Sequence, residues 1–306
     1  MFCLDEKTRE KGTAVALGYF DGIHLGHKMV LDKALSAAKE KNLVPVVMLF
    51  DIHPRKLISG KIPPMLTSEG RKREILTQMG FTVVDFNFRE AMNYSPEEFI
   101  EKIIVGKLNA KAVSCGFDYH YGKGGKGNSD TMREDLQKRD IAFFSAEPVF
   151  LGEDIVSSTQ IRKYIINGDI EKANAMLGEY FAYDFEVVRG DGIGRTIGFP
   201  TINQFFPEDF IVPKYGVYAS LAKIDGKEYP AVTNVGVRPT VATDSMRSET
   251  CILDFSGDLY GKKVQVKLVK YLRNEIKFPD IQALSRAIEK DIESAKNIYK
   301  EVKQNG

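Results

Sequence analysis

The sequence predicts an α/β protein of two domains in tandem. The first, residues 1–181, is a Rossmann-like, doubly wound parallel sheet; the second, residues 182–306, is a small antiparallel β-barrel with a terminal helix. Two observations carry this. Over the first half, short apolar runs alternate with helical segments, the pattern of a parallel sheet covered by helices on both faces. Near residue 182 the pattern changes to short strands joined by Gly, Pro and Asp turns, which reads as an antiparallel barrel. The 306 residues suffice for two such cores, and 43% hydrophobic content is ordinary for a globular chain.

In chain order, the first strand is 13–20 (TAVALGYF), an apolar run punctuated by Gly18 and Gly22. From about Gly26 the spacing turns helical, with Met29, Val30, Ala34, Leu35 and Ala38 on one face. Strands follow at 44–50 (VPVVMLF), 81–88 (FTVVDFNF), 110–117 (AKAVSCGF) and 141–147 (IAFFSAE). The clearest helix start is Ser95-Pro96-Glu97-Glu98: a capping serine, proline at the first helical position, and a glutamate placed for a capping box. Its buried stripe is Phe99, Ile100, Ile103, Ile104 and Leu108. The second half gives strands at 183–190, 215–224, 227–235, 249–255 and 262–272, then an amphipathic helix at 280–302. The chain contains no internal repeat and no low-complexity segment.

Bulk properties narrow the function classes. A formal net charge of +1 leaves no electrostatic footprint for nucleic acid or an anionic membrane. Cys3, Cys115 and Cys251 are odd in number, scattered and in no metal-like spacing, which argues for reduced thiols and a cytoplasmic location. The N-terminus becomes charged within a few residues, unlike a signal peptide, and no apolar run approaches the roughly 18 residues a membrane span needs.

The stretch GYFDGIHLGH (18–27) places two of only four histidines three residues apart, where a strand runs through a Gly-Asp-Gly turn into a helix. Unpaired N–H groups and the positive end of the helix dipole collect there and make an anion site. A metal would want a third ligand, and His53 and His120 lie elsewhere without supporting carboxylate spacing. Phosphate is the better guest: His24 and His27 can hydrogen-bond an α-phosphate and stabilise charge as a nucleotidyl group transfers, with Gly18, Phe20, Asp21 and Gly22 forming the turn around it. SSTQIR (157–162) supplies a second such element, in which Ser158 or Thr159 caps a helix and Arg162 stands in its first turn. Alone, it reads equally well as a capped surface helix. No Walker P-loop is present.

In the second half, GDGIGRTIGFPTIN (190–203) alternates glycines, including Gly192 and Gly194, before Arg195, a loop whose backbone can approach phosphate. Pro200 fixes the backbone ahead of Thr201 and Asn203, which on a strand point the same way. A hydroxyl and an amide oxygen on one face can hold Mg²⁺ together with phosphate oxygens. All four histidines lie within the first 120 residues, so a base in this half must be something else, most plainly a carboxylate. Glu249, opening ETCILDF, is the candidate.

Together the histidine element and SSTQIR resemble the nucleotidyltransferase superfamily. The match tightens with GYFDGIHLGH, LFDIHPRKL (49–57), LTSEGRKREIL (66–76), CGFDYHYGKGGKGN (115–128) and VSSTQIR (156–162), in the order of bacterial FAD synthetases. The segments GRTIGFPTIN, YGVYA (215–219), TNVGVRPT (233–240), ETCILDFSGDLYG (249–261) and LRNEIKF (272–278) resemble riboflavin kinase. The chain is thereby similar to the bifunctional riboflavin kinase/FMN adenylyltransferase family over nearly its whole length. That resemblance implies phosphorylation of riboflavin to FMN, then adenylylation to FAD with release of pyrophosphate, using ATP and Mg²⁺. It also implies that His24 and His27 contact ATP phosphates, that Ser158 and Arg162 close over them, and that Asp118 lies near the flavin or magnesium. In the kinase half it implies that Thr201 and Asn203 carry Mg-ATP and that Glu249 deprotonates the ribityl 5′-hydroxyl. The chain departs from the family at Ile52 (usually proline), at Tyr119-His120-Tyr121 and at Ile202 (usually alanine). A paralogue with one working half, a non-catalytic flavin sensor and a homo-oligomer are left open at this point.

Overall fold

The computed structural model describes residues 4–53, 56–57, 60, 62–190, 192–238 and 245–305. The chain divides into two compact units, Met1–Pro63 with Glu69–Ser157, and Pro64–Ser68 with Ser158–Gly306.

The first unit is built on five parallel strands, β1 (Thr13–Leu17), β2 (Val44–Phe50), β3 (Thr82–Phe86), β4 (Ala110–Gly116) and β5 (Ala142–Ala146), in spatial order β3-β2-β1-β4-β5. Side chains alternate across the sheet, so each face buries its own set. One carries Val15, Leu17, Val46, Met48, Val84 and Phe86; the other carries Ala16, Val47 and Leu49. After α1 (Glu6–Lys11), helix α2 (Leu25–Lys41) covers the second face with Val30, Leu31 and Ala34. Leu76 of α3 (Glu69–Gln78) packs there too. Met29, expected on the buried face of α2, is 42% exposed, because the stripe of Val30, Ala34 and Ala38 is completed by Leu31 and Ala37 instead.

The other face is covered by α4 (Pro96–Phe99), which continues as a wider π-type stretch at Ile100–Lys107. Its start is the capping box read from the sequence: Glu98 N–H donates to Ser95 Oγ at 3.1 Å, and Ser95 N–H to Glu98 Oε2 at 2.9 Å. Phe99, Ile100, Ile103, Ile104 and Leu108 are all buried, with Met132 and Leu136 of α5 (Ser129–Gln137) beside them. The order of connection reverses between β1 and β4, so the crevice at their carboxyl ends is the place where a ligand binds in such a sheet. The first strand ends at Leu17 rather than 20, since Phe20 already has φ 55°. A short hairpin, β6 (Phe150–Leu151) and β7 (Asp154–Ile155), ends the unit.

The second unit opens with α6 (Ser158–Asn167) and α7 (Ile170–Leu177), two helices that precede the expected domain start at 182. Their place follows from Asn174, whose buried amide donates to Leu268 O at 2.9 Å and accepts from Phe181 N–H at 2.7 Å. Six antiparallel strands follow in spatial order β8-β13-β10-β11-β12-β9. They are β8 (Phe181–Glu186), β9 (Thr201–Phe205), β10 (Gly216–Ile224), β11 (Lys227–Arg238), β12 (Ser245–Ile252) and β13 (Lys263–Arg273). The sheet closes where Val188 N–H donates to Asn203 O at 2.8 Å, making the expected barrel. Its interior includes a hydroxyl relay, Ser220–Thr233–Thr250, at 2.7 and 2.9 Å. Between β8 and β9 the glycine-rich stretch includes one helical turn, α8 (Ile193–Thr196), where a loop was expected.

The terminal helix α9 (Ile281–Asn305) lays Ile292, Ala295 and Ile298 on Val217, Ala219 and Val232. Arg273 fixes it through a two-pronged bond to buried Asp291, with Nη2 to Oδ2 at 2.7 Å. Pro64–Ser68 belongs to this unit through Met65, whose N–H donates to Asp209 O at 2.7 Å and whose carbonyl accepts from Ile211 N–H at 2.9 Å.

Candidate functional site

Each unit carries a cluster of the residues singled out above. In the first, the β1–α2 turn is forced into an unusual path. Phe20 (φ 55°), Gly22 (φ 84°) and Ile23 (φ 41°) all take left-handed backbone conformations, and a run of such residues is stored strain of the sort found where ligands are gripped. Phe20 folds its fully buried ring back over Gly18; a Cβ there would lie 2.9 Å from Cζ of that ring. Only glycine fits at 18.

His24 is the N-cap of α2, with its Nδ1 accepting from the His27 N–H at 3.3 Å. The two imidazoles stack with centroids 3.6 Å apart and planes at 16°, and the Phe20 ring meets His27 edge-on at 5.3 Å. Gly26 leaves room for this arrangement, since a Cβ would sit 3.2 Å from His24 Cε1. Asp21 and His24 are buried. Gly18, Phe20, Asp21, Gly22, His24 and His27 are thus drawn into one turn at the helix N-terminus, beside the switch between β1 and β4. Asp118 lies just past the carboxyl end of β4, exposed, with its carbonyl accepting from His120 Nδ1 at 2.9 Å.

Ser158, Thr159 and Arg162 fall in the second unit on α6, Ser158 and Thr159 in its first turn and Arg162, expected there too, at the start of the second because the helix begins at Ser158. The helix begins at Ser158, so the capping position falls to Ser157 and not to Ser158 or Thr159. Arg162 Nε donates to the Pro64 carbonyl at 2.7 Å.

The second cluster is laid out by strand register. Glu249 stands in the middle of β12 and not at the opening of its strand, because β12 begins at Ser245. It lies directly opposite Asn203 of β9 on one side and Asn234 of β11 on the other. Directly paired residues share a face, so Asn203, Glu249 and Asn234 form a row on the outside of the barrel, while Ser248 and Thr250 point inward. Arg247, two residues away on the same face, forms an ion pair with Glu249. Asn234 Nδ2 donates to Glu275 Oε1 at 3.0 Å, which brings a second carboxylate to the row.

Thr201 and Asn203 are on β9 and point the same way, as the spacing requires. Asn203 is buried, and its Oδ1 accepts no hydrogen bond, an oxygen already desolvated and available to a cation. The glycines explain the burial. A Cβ on Gly190 would strike the Asn203 amide, 2.7 Å from Cγ, and one on Gly194 would strike the Phe199 carbonyl and approach Thr201 Oγ1 at 3.4 Å. Gly192 takes φ 73° ahead of α8, and Arg195 is exposed in that turn. Among the described residues no group of three or more His, Cys, Asp or Glu could hold a metal ion. Hard oxygen donors from Thr and Asn beside substrate phosphates are the arrangement that suits Mg²⁺, which takes few protein ligands.

Sequence reasoning missed Arg247, Asn234 and Glu275, although each lies in or beside a segment already singled out. Strand alternation from Glu249 would have pointed to Arg247; the other two depend on register.

A family model described as FAD synthetase matches residues 6–160, and one described as riboflavin kinase matches 177–299. The bifunctional riboflavin kinase/FMN adenylyltransferase of Bacillus subtilis is 37% identical over 94% of this chain and 93% of its own length. The protein of that name from Escherichia coli K12 is 32% identical over 95% and 94%. A crystal structure described as a macrolide-efflux protein from Streptococcus pneumoniae superposes with a TM-score of 0.84 at 29% identity, over 94% of both chains.

Proposed function

The chain belongs to the bifunctional riboflavin kinase/FMN adenylyltransferase family, makes FMN from riboflavin and ATP and then FAD from FMN and ATP, and on that premise we propose which of its residues perform each step. The adenylyltransferase is assigned to residues 1–181 and the kinase to 182–306, with α6 and α7 supporting the kinase barrel. The single observation that carries the first assignment is the stacked His24–His27 pair on the N-terminus of α2.

In adenylyl transfer an FMN phosphate oxygen attacks the α-phosphorus of ATP and the bond to pyrophosphate breaks. Because His24 Nδ1 accepts from the His27 N–H, the neutral ring carries its proton on Nε2, and an N–H there is a donor that suits a phosphate oxygen. His27, the N-terminal amides of α2 and the turn at Gly18, Phe20, Asp21 and Gly22 complete an anion cradle that exists before substrate arrives. Ser158, Thr159 and Arg162 are assigned to ATP phosphates, and Asp118 to the flavin side.

In the kinase step, the Glu249 carboxylate takes the proton of the ribityl 5′-hydroxyl as that oxygen attacks the γ-phosphorus and ADP leaves. Gly192, Gly194 and Arg195 accommodate the nucleotide phosphates. Thr201 Oγ1 and Asn203 Oδ1 would hold Mg²⁺, which supplies neutralisation of phosphate charge. Neither step forms a covalent bond to the enzyme, so positioning and electrostatics carry both. Dependence on ATP and the buried free thiols of Cys115 and Cys251 support a cytoplasmic location. The efflux name on the pneumococcal structure is not carried over: no helix among the described residues is long and apolar enough to cross a membrane.

Incubation with riboflavin, ATP and Mg²⁺, followed by separation of the flavins, tests the assignment through two variants. His27→Ala should accumulate FMN, with adenylylation lowered about 10²–10³-fold, the usual effect of losing one such donor. Glu249→Gln should lower riboflavin phosphorylation by about 10²–10⁴-fold while converting added FMN to FAD normally. Loss of both activities in either variant, without unfolding, would refute the division.

A further inference from the structure

One lysine outside both sets of assigned residues is buried where lysines seldom are. Lys72, on α3, is 2% exposed. An ammonium taken out of water needs compensation, and two of its three contacts belong to a single residue of the phosphate turn. Its Nζ donates to the Tyr19 carbonyl at 3.3 Å and lies 4.2 Å over the centre of the Tyr19 ring. The third contact is Glu69 Oε1 at 2.7 Å, and the Tyr19 hydroxyl donates to that same oxygen at 3.4 Å. Tyr19 is thus held by carbonyl, ring face and hydroxyl at once. Its ring also packs on His53, centroids 4.2 Å apart.

Tyr19 sits between Gly18 and the strained Phe20. A peptide bond is planar and trans, so turning the Tyr19 carbonyl toward the ammonium turns the Phe20 N–H to the opposite side. Helix α3 does not need this contact to stay in place, since Leu76 is fully buried and Arg73 forms an ion pair with Asp85. We propose that Lys72 is a positioning residue for adenylyl transfer: through Tyr19 it holds the β1–α2 turn in the conformation that receives phosphate. The inference rests on the reading of that turn as the phosphate site.

The test uses the full chain and three readouts on Lys72→Met and Lys72→Arg: FMN adenylylation resolved into kcat and KM for ATP, riboflavin phosphorylation, and amide hydrogen exchange. Lys72→Met should lower kcat/KM for adenylylation by about 10–100-fold, the scale of a 1 Å misplacement. Riboflavin phosphorylation should be unchanged, and faster exchange should be confined to residues 18–24. Lys72→Arg, which keeps the charge, should recover part of the loss. Should Lys72→Met fail to fold, Glu69→Gln removes the counter-charge and should show the same pattern in weaker form. Normal adenylylation in a folded Lys72→Met protein or in Glu69→Gln overturns the proposal, as does faster exchange spread across the whole first unit. His27→Ala separates the two ideas: normal adenylylation there refutes the phosphate site itself, whereas a defect there with none at Lys72 refutes only the clamp.

Discussion

Gly190→Ala offers a way to disturb the proposed kinase site by a single methyl group. The backbone at 190 lies outside the left-handed region, so alanine adopts it without strain and the effect must come from contact. The new Cβ would stand 2.7 Å from Asn203 Cγ and 2.8 Å from Oδ1, where ordinary contact begins at 3.4 Å. The amide must therefore retreat by at least 3.4 − 2.7 = 0.7 Å. Its backbone cannot move with it, because the Asn203 carbonyl holds the Val188 N–H at 2.8 Å and the residue is in register with Glu249. The side chain has to swing, taking Oδ1 away from the Thr201 hydroxyl with which it would share a cation. A misplacement near 1 Å costs about 10²-fold in rate, so riboflavin phosphorylation should fall by that order. The assay is flavin separation at saturating Mg-ATP, with conversion of added FMN to FAD as the internal control and thermal unfolding as the check on folding. A folded Gly190→Ala protein within about twofold of the wild-type kinase rate would mean that Asn203 is not held to the tolerance that positioning requires.

Two other outcomes follow from the packing. Burial pushes the Cys115 thiol up to about 12 from an ordinary value of 9.0, so the unfolded chain loses this proton before the folded one does. Stability should therefore decline as pH rises through 9, by at most about 1.4 kcal/mol per pH unit for one such proton. Urea unfolding of wild type and Cys115→Ala at pH 8, 9 and 10 checks this: the variant's profile should be the flatter, and parallel profiles would show that the thiol contributes nothing. A fragment starting at Tyr183 omits Asn174 and its buried bonds to β8 and β13, so it should unfold more readily than one starting at Ser158; equal melting temperatures would show the helices to be dispensable.

What could be read from the sequence was local. The Ser95–Glu98 box, the stripe from Phe99 to Leu108 and the strand-to-helix turn at His24 are each specified within about three helical turns or fewer. The fold class followed because alternation of strands and helices permits few sheet arrangements. The missed features are those set by distant segments. Glu249 was legible as a carboxylate in a half without histidine, but its setting was not: strand register brings it between Asn203 and Asn234, and a one-residue slip would have turned it into the barrel. The glycines of 190–194 read as a loop open to phosphate, whereas Gly190 and Gly194 are packed against Asn203 and Phe199. Lys72 sits in a segment rich in charge, where nothing but the tertiary structure distinguishes the buried cation from half-buried neighbours such as Arg71 and Arg73.

On the assignments proposed above, the two sites approach the same difficulty, holding polyphosphate charge, by different means. In the first, the backbone does most of it: a helix N-terminus needs only a turn of the right shape, and the shape is maintained by glycines, two left-handed non-glycine residues and a buried cation behind the turn. In the second, the proposed ligands are side chains on neighbouring strands, which would meet a cation and a hydroxyl, and their precision comes from register and from the glycine loop packed on Asn203. A backbone site should thus be sensitive to residues that never touch substrate, since any change in the turn moves several amides together. A side-chain site should be sensitive to its first contacts and to whatever abuts them. Gly190 and Lys72 are the matching probes: each lies one contact away from a residue of the proposed site in its own unit, Asn203 and the Tyr19 turn.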